Sequence, residues 1–514
     1  MVFNSFVFLL FFPLVAVVYF FLTMRIGLRH KALSNALSQI FLLAASFIFY
    51  GYWNPTYLVL ILISVAVTWA SGLLMEGRNV REKRLILIAS LIINLGILFF
   101  FKYYGLFAET AGFLSSGGIK FPSFNLLLPV GISFYTFQAL GYSIDVYYGR
   151  VQAERNFITY ALFVTFFPQL VAGPIERSGN LLPQFKVNYE FDYDRVTSGL
   201  RLAAWGMFKK VVIADRLAVY VNGVFGNPDV YPGASLALAV FFFAIQIYND
   251  FSGYSDIAIG CARVLGFNLM TNFRQPYFSR SITEFWRRWH ISLSTWLKDY
   301  IYIPLGGNRN GKIRQRLNLL ITFLLSGLWH GAAWHFVVWG ALHAIFQIIG
   351  RSTEPLRNVL CRKVGLPEES RPRKAIQICV TFILVCFAWV FFRANTMQDA
   401  FLITAKLARL PAELAEYVNG LSQNGIVMTV RDALQMGNEK QVANPIGFGL
   451  KDFLISVILI AILFIADILL RKAPEGTIVK QKPFVLRWAG YYALILAVVL
   501  SWDAGSSQFI YFTF

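Results

Sequence analysis

The chain has 514 residues, of which 57% are hydrophobic and 14% charged, with mean hydropathy +0.58 and a formal net charge of +19. These values exclude a soluble enzyme and point to an integral membrane protein. The positive charge does not point to nucleic acid, because the basic residues cluster in short loops between apolar runs and no basic element stands apart.

Apolar runs of about 20 residues recur along the chain, the length a helix needs to cross a bilayer, whereas a membrane barrel would alternate. The expected class is therefore all-α and polytopic, with about 11–13 spans. The first span covers Val2 to Leu22. It has neither a basic leader nor a small-residue cleavage site and reads as a retained helix. Arg25, Arg29, His30 and Lys31 follow, which places that loop in the cytoplasm and the N-terminus outside. Spans over Asn35–Tyr52 and Tyr57–Met75 flank the Asn54-Pro55 turn, and the next loop, with Arg78, Arg81, Lys83 and Arg84, is again cytoplasmic. Leu85–Tyr104, Leu126–Tyr148 and Phe157–Val171 come next.

Gly199–Val221 embeds Arg201, Lys209, Lys210, Asp215 and Arg216, and reads either as an interfacial helix or as a span facing the protein interior. In NDFSGYSD, Asp250 and Asp256 stand at or near membrane depth, either as functional carboxylates or as partners of neighbouring basic groups. Leu317–Ile349 is 33 residues without Asp, Glu, Lys or Arg. As one straight helix it would run about 50 Å against a hydrocarbon core of about 30 Å. Both flanks are basic, so both ends belong in the cytoplasm, with a break or re-entrant bend near Gly331.

Lys374–Phe392 crosses outward, and Ala394–Gly449 is a mixed-charge external segment of amphipathic helical character. Asp452–Leu470 returns to a basic loop, and Phe484–Leu500 crosses outward again, which leaves the tail SWDAGSSQFIYFTF outside. The expected organisation is one transmembrane domain over residues 1–514, with an external insertion at 394–449 and an external tail at 504–514. The four cysteines form neither a CxxC pair nor a disulfide framework.

Four of the five histidines lie between Thr283 and His343, interleaved with six tryptophans. His330, in SGLWHGAAWHFVVWG, is the leading candidate, since a neutral imidazole tolerates apolar surroundings and can accept a proton near neutral pH. His290, in FWRRWHISLSTWLKDY, lies in a segment too charged to span and too aromatic to be a free loop. His335 and His343 fall on other helical faces and read as structural. No HExxH spacing occurs, and no cysteine or carboxylate is interleaved, so no metal site is expected. Neither a phosphate-binding loop nor a nucleophile elbow is present.

WRRWHISLSTWLKDYIYIPLGG together with SGLWHGAAWHFVVWGALH resembles the membrane-bound O-acyltransferase (MBOAT) family. VAGPIERSGNLLPQF, QIYNDFSGYSDIAIGCARVLGFNLMTNFRQPYFSRSITEFW, the opening FNSFVFLLFFPLVAVVYF and FYGYWNP extend the likeness over nearly the whole chain. It is closest to the bacterial branch that exports acetyl groups for polysaccharide O-acetylation, with peptidoglycan O-acetylation and teichoic-acid D-alanylation proteins as relatives. The resemblance implies a helical bundle with re-entrant helices and a central funnel, placed in the bacterial inner membrane. It also implies that His330 is the catalytic histidine and His290 the second one.

The function expected is transfer of an acetyl group from cytoplasmic acetyl-CoA to an extracytoplasmic polysaccharide, alginate-like or peptidoglycan. The same family also contains lipid and protein acyltransferases, and a histidine-lined transporter is the competing class, although the paired broken segments of a transporter are absent. Arg287, Arg288, Lys298 and Arg309 suit the CoA phosphates by charge, though inside-positive bias alone also accounts for them. Nothing in the chain supplies an external hydrolase-like domain, so an SGNH-type acetyltransferase or a small membrane protein is the expected partner. The ending Phe509-Ile-Tyr511-Phe-Thr-Phe514 reads either as an aromatic anchor at the interface or as an acyl relay through the Tyr511 hydroxyl.

Overall fold

The computed structural model describes residues 1–27, 30–115, 121–122, 124, 128–434, 448–470, 483–502 and 509–510. Every regular element among the described residues is helical. Among the described residues, seven helices are long and apolar enough to cross a membrane, as the composition requires of a multi-pass membrane protein.

The N-terminal part carries α1 (Phe6–Phe21), α2 (Lys31–Gly51), α3 (Tyr57–Met75), α4 (Val80–Leu98) and α5 (Tyr104–Leu114). A π-helical turn at Phe99–Tyr103 joins α4 to α5, so that Val80–Leu114 runs as one 35-residue span. α3 has the bounds expected from its apolar run. α6 (Ile132–Tyr147) follows. The Phe157–Val171 run, expected as a single span, is instead broken into α7 (Phe157–Thr165) and the four-residue α8 (Phe167–Leu170). Pro168 explains the break at Phe166, because its ring crowds the preceding turn and it lacks the N–H that would bond the carbonyl four residues back, whereas it is tolerated in the first turn of a new helix. Both pieces are too short to cross, and nearly every residue in them is buried.

α9 (Ser178–Phe185) leads to α10 (Tyr193–Met207), a π-helical turn at Phe208–Ala214, α11 (Asp215–Gly226) and the 33-residue α12 (Gly233–Leu265). α12 is the axis of the bundle, with 83% of its apolar window buried. Its approach to α10 is set by glycines seven residues apart on each helix. A Cβ at Gly199 would meet the Gly260 carbonyl at 2.6 Å, and one at Gly206 would meet the Gly253 carbonyl at 2.5 Å. Small residues let backbones touch, and dispersion then substitutes for the hydrophobic force that lipid removes.

The middle of Gly199–Val221, the turn Phe208–Ala214, is buried in the bundle. Lys209 and Lys210 are buried. Lys209 pairs with Asp256 at 2.7 Å, while Lys210 lies 2.7 Å from Asp250 and 2.8 Å from Asp215. Asp250 and Asp256 are therefore ion-pair partners of these lysines, which is how buried charges persist at such depth.

α13 (Ile282–Arg288) and α14 (Ile291–Leu297) are one-to-two-turn helices packed inside the bundle. The charge-free run is a hairpin of α15 (Gly311–His330) and α16 (Trp334–Ser352), broken at Gly331 where the length and flanking charge place the bend. α17 (Glu354–Lys363), α18 (Arg371–Arg393), α19 (Met397–Leu434), α20 (Leu450–Leu470) and α21 (Phe484–Ser501) complete the chain. α19, within the expected insertion, packs along α12 and α18, with Ala400 and Ile403 fully buried.

Candidate active site

The site is built on the α15–α16 hairpin. Close packing locks the two arms: a Cβ at Gly327 would overlap the Phe336 carbonyl, and one at Gly340 would overlap the Phe323 carbonyl. A Cβ at Gly331 would run into the Phe336 ring, so only glycine fits the bend. His330 is the last residue of α15 and is 3% exposed. Its ring stands edge-on to Trp329 and Trp339, each 4.9 Å away between centroids, and to Phe392 of α18 at 5.3 Å.

His290 joins α13 to α14 in the left-handed backbone region, with φ 43° and ψ 55°. A non-glycine residue pays for that conformation only where tertiary contacts over-determine it. Here they do, since the ring is fully buried, edge-on to Phe251 of α12 at 4.6 Å, with Nδ1 3.2 Å from Asn272 Oδ1. The backbone N–H and the hydroxyl of Ser292 both donate to that same oxygen, at 3.2 and 3.0 Å. An N–H can only donate, so the Asn272 atom is the carbonyl oxygen and His290 Nδ1 carries the proton. The lone pair of His290 is thereby fixed on Nε2.

The structure brings His290 and His330, 40 residues apart in sequence, to 6.4 Å between ring centroids. Beside His330 lies a cavity of about 40 Å³ lined by Lys102, Gly131, Ser133, Phe134, Trp329 and others. His335 and His343 have structural partners: His335 Nδ1 donates to the Phe391 carbonyl at 2.9 Å, and His343 Nδ1 accepts from Trp286 Nε1 at 3.2 Å.

Arg287, Lys298 and Arg309 are exposed, and none forms an ion pair among the described residues. Arg288 is half-buried and is held by Glu284 at 2.7 Å. Tyr511 lies outside the described residues, but the two residues before it are buried in the bundle. The Phe509 ring packs on Tyr254 and Phe251 at 4.6 and 5.8 Å, and the Ile510 N–H donates to Asp250 Oδ2 at 2.7 Å. Phe251 thus touches His290 on one side and the tail on the other. Asn272 and Lys102 did not stand out in the sequence as site residues. Asn272 offers no signal there, whereas Lys102 is a cation inside an apolar span, which is itself a mark of function.

Two buried imidazoles side by side in a membrane bundle, one with its tautomer fixed, can take up and hand on a proton where water is scarce. This is the equipment of an acid–base group-transfer enzyme of the membrane. The profile of the membrane-bound O-acyltransferase family matches residues 152–394, which contain both histidines. The chain is 41% identical over 406 residues to a probable alginate O-acetylase AlgI of Pseudomonas syringae pv. tomato, covering 78% of this chain and 74% of that protein. It is 35% identical over 427 residues to a peptidoglycan O-acetyltransferase of Helicobacter pylori, covering 76% and 79%. A teichoic acid D-alanyltransferase of Bacillus subtilis is 26% identical over 291 residues, 54% of this chain and 72% of that one. The chain belongs to the membrane-bound O-acyltransferase family and is an acyltransferase.

Proposed function

We propose that the protein transfers acetyl groups from acetyl-CoA on the cytoplasmic face to the outer face of a bacterial inner membrane, for O-acetylation of a polysaccharide such as alginate or peptidoglycan. The relatives named for those two acceptors support the choice of an extracytoplasmic polymer. The observation that carries the chemistry is the pair His290 and His330, buried and 6.4 Å apart at the end of a broken helix.

His330 is the general base. It takes the proton of an acceptor hydroxyl as that oxygen attacks the thioester carbonyl, the C–S bond breaks, and CoA leaves as its thiolate. A thiol of pKa about 8.5 is a good leaving group, so little acid assistance is needed. His290, with its lone pair on Nε2 and its ring 6.4 Å from that of His330, shuttles the proton onward once His330 has taken it. The exposed cations Arg287 and Lys298, at the ends of α13 and α14, and Arg309, just before α15, bind the CoA phosphates, with Arg288 held back by Glu284.

The acceptor at this step is the Tyr511 hydroxyl. Burial of Phe509 against Phe251, the residue that touches His290, and of Ile510, whose N–H donates to Asp250, supports a tail that reaches the site. A tyrosyl ester suits a relay, since a phenol of pKa about 10 leaves more readily than a sugar alkoxide. An external SGNH-type acetyltransferase, or a small membrane partner, then takes the acetyl group onto its serine and passes it to the polysaccharide. Both termini lie outside in this scheme.

The test uses purified full-length protein with acetyl-CoA, followed by CoA release and intact-mass analysis of the C-terminal peptide. His330→Ala should insert normally and lose about 10²-fold or more in turnover, with His290→Ala costing as much or somewhat less. Tyr511→Phe should lose the acetyl adduct and polysaccharide acetylation while keeping membrane insertion. Wild-type turnover in a folded His330→Ala protein would overturn the mechanism. Normal acetylation by Tyr511→Phe would leave the tail as an anchor.

A further inference from the structure

An α-helix leaves its last four carbonyls without intrahelical partners, and most helices satisfy them by curling their own chain into a left-handed cap. α15 does not, because Gly331 is extended at φ −160° and ψ 153°. Only the Gly327 carbonyl is served locally, by the Gly331 N–H at 3.4 Å. The other three are served by two consecutive residues of another helix. The Tyr103 hydroxyl donates to Leu328 O at 2.8 Å, and Lys102 Nζ donates to Trp329 O at 2.8 Å and His330 O at 3.1 Å. The third N–H of Lys102 goes to Ser133 Oγ at 3.3 Å.

Both donors sit in the π-helical turn Phe99–Tyr103, a local distortion that recurs at functional positions. A cation also suits the negative end of the α15 dipole. Yet a neutral donor would satisfy these carbonyls at lower desolvation cost, so an ammonium at membrane depth needs a reason beyond folding. Its position supplies one. Lys102 lines the cavity of about 40 Å³ beside His330 and also an outer, more open cavity of about 480 Å³ with Phe100, Tyr104, Glu109 and Phe121.

We propose that Lys102 is a positioning residue of the acyl transfer: with the Tyr103 hydroxyl it fixes the uncurled last turn of α15, and so the direction in which His330 faces the reacting groups. The inference rests on His330 acting as the base. Lys102 touches the backbone of His330 rather than the acyl group, so its effect runs through imidazole placement. A displacement of about 1 Å at a reacting centre costs on the order of 10²-fold in rate.

The experiment uses purified full-length protein with acetyl-CoA, together with hydrogen exchange of the peptide spanning residues 326–334. Lys102→Met should lower kcat by about 10²-fold with KM for acetyl-CoA within about 3-fold. It should also raise exchange at the end of α15. In Lys102→Ala, ethylammonium admitted through the outer cavity should restore kcat about 10-fold, and ethanol, similar in size but uncharged, should not. Lys102→Arg, which keeps a cation and several donors, should retain about a tenth of kcat or more even if the shorter side chains fold poorly. Unchanged exchange at residues 326–334 overturns the proposal, as does kcat within about 3-fold of wild type or equal effects of amine and alcohol. Absence of CoA release by the wild type would remove the donor assignment instead, and the exchange measurement would still judge the cap.

Discussion

Asn272 offers the sharpest probe of how the site is held. Replacing it with leucine keeps the approximate volume and removes one oxygen that receives three hydrogen bonds, from His290 Nδ1, Ser292 N and Ser292 Oγ. The Ser292 hydroxyl can rotate and, 3.5 Å from His290 Nδ1, can accept from it, but the Ser292 N–H is fixed. A buried donor left unsatisfied costs about 1–3 kcal/mol, so Asn272→Leu should lose about 1–3 kcal/mol of stability.

The effect on rate has two limits. If Asn272 only biases the His290 tautomer, losing one net hydrogen bond of about 1 kcal/mol costs about 5-fold in active population. If it also fixes the ring direction, the loss should reach about 10²-fold, the lower range for a positioned acid–base group. CoA release from acetyl-CoA, measured with thermal melting in detergent, separates the limits. Asn272→Asp preserves the oxygen facing Nδ1 and should stay nearer wild type than Asn272→Leu. A leucine variant that melts earlier yet turns over at the wild-type rate would refute the argument, because Asn272 would then brace the loop and leave the imidazole unaffected.

Gly340→Ala places a methyl on the Phe323 carbonyl and should cost about 1–3 kcal/mol by forcing α15 and α16 apart, visible as a lower melting temperature. Lys210→Met leaves Asp215 and Asp250 buried without their shared cation, and should cost about 3–5 kcal/mol and weaken the Asp250 contact to Ile510, read by thermal melting and by protease access to the tail. Cysteines introduced at Arg81 and Arg314 should label only from the cytoplasm, and one at Ser506 only from outside; labelling of Ser506 from the cytoplasm would reverse the placement of the tail.

The hairpin that carries His330 was legible because its evidence is coarse: a charge-free run too long for one crossing, with basic flanks at both ends. Such features report on the bilayer, which acts on every residue of a span alike. The packing of α10 on α12 also left a trace, in the seven-residue glycine spacing of GLRLAAWG and GYSDIAIG, although periodicity of apolar residues alone does not reveal it. The left-handed backbone of His290 left none. Local sequence gives a histidine no preference for φ 43°, and the contacts that impose it come from Asn272, Phe251 and Trp329, scattered over 79 residues from Phe251 to Trp329. The break at Phe166 stands between these cases, since Pro168 signals it locally but the apolar run of Phe157–Val171 overrides that signal in a reading by hydropathy.

The buried charges divide by the same logic. Lys209 and Lys210 each face carboxylates from α12 or α11, and together those pairs join three helices at a depth where neither partner could stand alone. Lys102 forms no ion pair among the described residues; its Nζ donates to two backbone carbonyls and a hydroxyl. An ion pair neutralises both members and serves the fold wherever it lies. A donor that holds the carbonyls at a helix end instead serves whatever that end carries. Here that end carries His330, beside the cavity. Among the described lysines at membrane depth, it is therefore Lys102, the one without an acid, whose removal should separate catalysis from stability, whereas loss of Lys209 or Lys210 should reduce both together.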